Sequence, residues 1–95
     1  MQIGMVTVTQ DGYFNLLTKL QEKVPSFTWD ETVSYIIQNR GVTPVILCER
    51  ETEPIDDREG LMLGVNKTAV YKPENGSTCW IFALEGYTMI NVSEA

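Results

Sequence analysis

The spacing of apolar residues along this chain changes period twice. From Tyr13 to Val24 the apolar positions are Tyr13, Leu16, Leu17, Leu20 and Val24, the spacing of one helix face. Asp11 stands where it can cap such a helix, Lys19 and Lys23 suit its C-terminal dipole, and Pro25 stops it. Thr28-Trp29-Asp30-Glu31 then has the form of a capping box, a Thr N-cap with a Glu three residues on. Trp29, Val33, Ile36, Ile37 and Arg40 would lie on or near one face of a second helix, closed by Gly41.

Elsewhere the pattern is that of strands. Met1 to Thr9 alternates, with Ile3, Met5 and Thr7 on one side and Val6 and Val8 on the other. Val42 to Cys48 is almost continuously apolar, as in a central strand covered on both faces. Leu61-Met62-Leu63 begins another strand before Gly64. Val65 to Val92 reads as three strands joined by tight turns at Asn75-Gly76 and Glu85-Gly86. In the middle one Trp80 and Phe82 share a face and Cys79 and Ile81 share the other, so both faces are apolar. The predicted architecture is α+β: one domain over residues 1–95, in the order β-α-α-β-β-β-β. Two N-terminal helices would pack on one face of a mostly antiparallel sheet of about four to five strands.

Composition adds limits. No apolar run approaches the roughly 20 residues of a membrane helix, and MQIGMVTVTQ lacks the basic, long-apolar form of a secretory signal. The expected location is the cytoplasm. The two cysteines, Cys48 and Cys79, sit in apolar strand-like contexts and read as buried thiols. The chain contains no histidine, which excludes a Cys–His catalytic pair and any imidazole metal site.

Charge is the most unusual feature. The net charge is −6, and −4 of it lies between Glu49 and Gly60, where Glu49, Glu51, Glu53, Asp56, Asp57 and Glu59 face only Arg50 and Arg58. Read blandly, this is a solvated loop; read functionally, it complements the Lys/Arg surface of a nucleic-acid-handling protein. Asp56, Asp57 and Glu59 are also hard oxygen donors beside a glycine, but the alternating spacing of a calcium loop is missing. The two expected helices around Pro25-Ser26-Phe27 could form a helix-turn-helix, although the second opens with Asp30 and Glu31 and offers only Arg40 to phosphates.

No phosphate-cradling glycine loop and no histidine base for a serine or threonine nucleophile can be found, so catalysis is not expected. The expectation is a small acidic binding module without cofactor or metal. It would occupy a basic protein surface as an inhibitor, in the manner of phage anti-defence or immunity proteins. The six carboxylates would meet the partner's cations, and Tyr71, Trp80 or Tyr87 would supply an apolar anchor beside them. The alternatives are a self-assembling homo-oligomer, in its smallest form a homodimer, and the helix-turn-helix reading. Neither direct nucleic-acid contact nor membrane association belongs to the leading expectation.

Overall fold

A computed structural model describes residues 1–55 and 59–95 of the protein. Its strands form two four-stranded sheets in which every pairing is antiparallel. The first sheet has the order β1 (Gln2–Thr9), β8 (Tyr87–Glu94), β3 (Tyr35–Asn39), β6 (Thr68–Tyr71). The second has the order β2 (Phe14–Asn15), β7 (Thr78–Ala83), β4 (Val45–Arg50), β5 (Leu61–Leu63). One short helix, α1 (Leu16–Gln21), is present among the described residues.

The two sheets stack through alternate side chains. Val6 and Val8, Tyr35 and Ile37, and Ile90 and Val92 come from the first sheet; Val45, Leu47, Cys79 and Ile81 come from the second. All belong to one buried cluster, which Leu16 and Leu20 of α1 join. The period-two pattern of β1, β3 and β8 is therefore the pattern of a sheet with one buried face.

This corrects the α+β expectation. The second helix, Thr28 to Arg40, does not form; its C-terminal half is strand β3, between β6 and β8. Two forces decide against the helix. Asp30 uses its side chain locally: Oδ1 accepts from the backbone N–H of Thr32 at 2.9 Å and from its hydroxyl, so the capping-box residues close a turn instead. Tyr35, Ile36 and Ile37 are β-formers, and Tyr35, Ile37 and Asn39 are all buried at period two. With that helix goes the recognition element of the helix-turn-helix reading. The first helix shrinks to α1, capped by Asn15 rather than Asp11: Asn15 Oδ1 accepts from the backbone of Leu17 at 3.0 Å. Leu16 and Leu20 are its buried face, as the spacing predicts.

The three late strands exist, but they are not a meander. β6 pairs with β3, β7 with β2 and β4, and β8 with β1 and β3. The turns at Asn75-Gly76 and Glu85-Gly86 carry the chain from one sheet to the other. Gly76 and Gly86 take φ of 84° and 54°, the left-handed region that favours glycine. β7 has two apolar faces and takes an interior place in the second sheet; β8 has one and lays it across the core from β7. Val45 to Cys48 are all buried in β4, between β5 and β7, as the continuous apolar run predicts.

Candidate functional site

The described ends of the acidic segment, after β4 and before β5, lie against the outer face of the second sheet. Both ends are tied down. The indole N–H of Trp80 donates to the carbonyl of Arg50 at 3.1 Å, and the Tyr13 hydroxyl donates to the carbonyl of Glu59. Arg50 Nη1 reaches both carboxylate oxygens of Glu59 at 2.9 Å, and the Cys48 thiol donates to Glu59 Oε2 at 3.7 Å. Gly60, at φ 126°, lies so close to the carbonyl of Leu47 that a Cβ there would fall 2.2 Å from its oxygen. The Tyr13 ring rests on Phe82 with centroids 5.3 Å apart. These neighbours cover Ile46, Cys48 and Phe82, the outward-facing apolar residues that the two-faced pattern of β4 and β7 left to be explained.

Between its anchors the segment presents a mixed surface. Pro54 is buried, whereas Glu51, Glu53 and Ile55 are exposed, Ile55 at 95 %. Neither Glu51 nor Glu53 forms an ion pair with a described residue. Glu49 is also exposed, and its carboxyl is held above the ordinary carboxylate range by partial desolvation and by the charge of Glu74. Glu59 is the carboxylate that Arg50 neutralises. Asp56 and Asp57 lie outside the described residues.

The three expected aromatic anchors are not brought together. Tyr71 is buried in the core, Trp80 is half-buried on the outer face of the second sheet, and Tyr87 is exposed at the start of β8 in the other sheet. Trp80 adjoins the acidic segment and its N–H serves the backbone there, while Tyr71 meets Glu49 and Glu59 only across a cavity. The apolar companions of the carboxylates are instead Ile55, Leu61 and Met62, the last two 60 % and 57 % exposed. Sequence reasoning missed them because Leu61-Met62-Leu63 looks like an ordinary buried strand. The available signal was an isoleucine set in a segment otherwise made of charges and turn formers.

A second feature lies between the sheets, at the side where β5 and β6 form open edges. A cavity of about 360 Å³ is lined there by Ile37, Leu47, Ala69, Tyr71, Cys79 and Glu49, among others. Glu49 stands directly opposite Cys79 in the β4–β7 ladder, on the same inward-facing side as Leu47. The Tyr71 hydroxyl is buried and has no hydrogen-bond partner among the described residues. Desolvation holds it in its protonated form, reinforced by Cys79 and Glu49. Cys79 is pushed up to about 12 by burial and by the nearby charge of Glu49. Burial and the Glu59 carboxylate raise Cys48 as well.

Both cysteines are free, and both are kept as thiols rather than as the thiolates that attack or ligate. Among the described residues, no group of three or more acidic or cysteine side chains is arranged to hold a metal ion. No helix among them is long and apolar enough to cross a membrane. Compared with known proteins, the chain matches no family model, no curated protein and no solved structure. The inhibitory and phage-encoded roles expected from the sequence therefore gain no support.

Proposed function

We propose that the protein is a non-enzymatic binding module. It docks on the basic surface of a protein partner through the connection between β4 and β5. The observation that carries this reading is Ile55, 95 % exposed beside Glu51 and Glu53, which pair with no cation among the described residues, on a segment anchored at both ends. An apolar side chain held out in water within an acidic rim fits an apolar pocket ringed by Lys and Arg. Anchoring reduces the conformational entropy lost on docking, and the net charge of −6 speeds encounter with a cationic surface. Unpaired thiols at Cys48 and Cys79 suit a reducing, cytoplasmic setting.

The test is retention of proteins from a lysate of the source cells by wild type, Ile55→Ala and Glu51→Lys/Glu53→Lys. A protein held by wild type, released by raised salt and lost from both variants supports the proposal. Equal retention by all three removes the segment from the account.

One observation favours a second reading, self-assembly. Leu61 and Met62 on β5 and Val70 on β6 are exposed on strands at the edges of the two sheets, and open apolar edges pair with copies of themselves. Light scattering across a dilution series separates the readings. An oligomer that persists in high salt and dissociates in Val70→Lys supports this one.

A further inference from the structure

The hydroxyl of Tyr71 is a costly feature to place where it is. Its ring packs edge-on to Trp29 at 5.0 Å, and the residue is 2 % exposed. Phenylalanine would fill the same space without burying a polar atom that has no partner among the described residues. The residue also lines the cavity between the sheets, whose volume lies in the range of small-ligand sites. The remaining walls are mostly apolar: Ile37, Leu47, Leu61 and Ala69.

The charges around the cavity select the head group of its ligand. Glu49 and Glu59 line it too, and Glu74 acts on both Glu49 and Tyr71. Arg50, the nearby cation on β4, is engaged by Glu59. An anionic head would add charge to a field that is already negative. An ammonium would offset it, donating to the Glu49 carboxylate and to the Tyr71 oxygen.

We propose that the cavity between the two sheets binds a small organic amine, its apolar body among Ile37, Leu47 and Ala69 and its ammonium held by Glu49 and the Tyr71 hydroxyl. The cavity shares Glu59 and Gly60 with the β4–β5 connection, but Glu51, Glu53 and Ile55, on which the docking proposal rests, do not line it.

Hexylamine is the probe, with hexanoate and hexan-1-ol as counter-probes, followed by amide chemical shifts and by calorimetry. The expected result is saturable binding of hexylamine, with shifts centred on Ile37, Leu47, Ala69 and Tyr71 and with hexanoate much weaker. Tyr71→Phe, which the apolar surroundings accept, should stay folded by the same spectra and lose about tenfold in affinity, the value of one charge-assisted hydrogen bond. Glu49→Gln, at the cavity mouth, should bring hexylamine down to the level of hexan-1-ol. Absence of saturable binding, hexanoate binding as well as hexylamine, or unchanged affinity in Tyr71→Phe would each overturn the proposal.

Discussion

Thr88 donates its hydroxyl to Asn39 Oδ1 at 2.9 Å, joining β8 to β3 by a side-chain hydrogen bond wholly inside the protein. The same oxygen accepts from the backbone N–H of Gly41 at 3.0 Å. The Asn39 amide donates to the carbonyls of Thr43 at 2.8 Å and Leu63 at 3.2 Å. Leu63 belongs to the second sheet, so one side chain on the first sheet links the two layers at that end of the core. Asn39→Ala would strand these buried partners at once. A loss of about 3–5 kcal/mol is expected in urea denaturation. A loss under about 1 kcal/mol would mean that the network does not hold the layers together.

Gly41 is required by the same corner. A Cβ there would fall 1.7 Å from Thr88 Oγ1 and 2.7 Å from the backbone nitrogen of Met89. The hydroxyl can be deleted; the backbone of β8 cannot. Gly41→Ala is therefore expected to cost more than about 3 kcal/mol or to prevent folding. Adding Thr88→Ala should give only partial recovery in thermal melts, and full recovery would show that β8 shifts more freely than its pairing with both β1 and β3 implies.

That corner also shows what the sequence made legible. Alternation found the buried faces of β1 and β8, and the unbroken Val45–Cys48 run found a strand covered on both sides. Turn chemistry placed the bends at Asn75-Gly76 and Glu85-Gly86. It could not say that each bend crosses between sheets, because the same two residues serve a hairpin and a crossing equally well. The second helix was misread for a different reason. Thr28, Asp30 and Glu31 supply the letters of a cap, but Asp30 closes onto Thr32, and the β-branched and aromatic residues after it have strands to join on both sides. At the candidate site, the acidic segment was visible as composition. Ile55 and the Tyr71 hydroxyl matter through exposure and burial, which no local pattern records.

The Arg50–Glu59 pair should contribute little to global stability. Its side chains are 35 % and 39 % exposed, and ion pairs so placed are worth at most about 1 kcal/mol. Its effect is local, on one end of the docking segment. Arg50→Ala should leave the denaturation midpoint within that limit while speeding cleavage after Glu51 and Glu53 by a glutamate-specific protease. An unchanged cleavage rate would assign the anchoring to Trp80, Tyr13 and Pro54 alone.

The buried thiol of Cys79 predicts how stability depends on alkaline pH. Its ordinary value is 9.0, and in the folded protein it is pushed up to about 12 by burial and by the Glu49 carboxylate. Below pH 9 the folded and unfolded chains both hold this proton, and the group adds no pH dependence. Between pH 9 and 12 the unfolded chain has released it and the folded chain has not, so folding binds a proton and weakens as pH rises. The slope for one such group approaches about 1.4 kcal/mol per pH unit. Tyr71 is raised for the same cause from a higher starting value, 10.0, and steepens the loss above it. Urea titrations from pH 7 to 11 should therefore show a plateau followed by a fall beginning near pH 9. Cys48 starts from the same ordinary value and is raised too, so Cys79→Ala should make the fall shallower, and Cys48→Ala/Cys79→Ala should delay its onset by about one unit, to the range in which Tyr71 acts. An unchanged slope in Cys79→Ala would place the responsible proton elsewhere. The same burial should make Cys79 slower than Cys48 toward a thiol reagent in the native protein, with the difference abolished in denaturant.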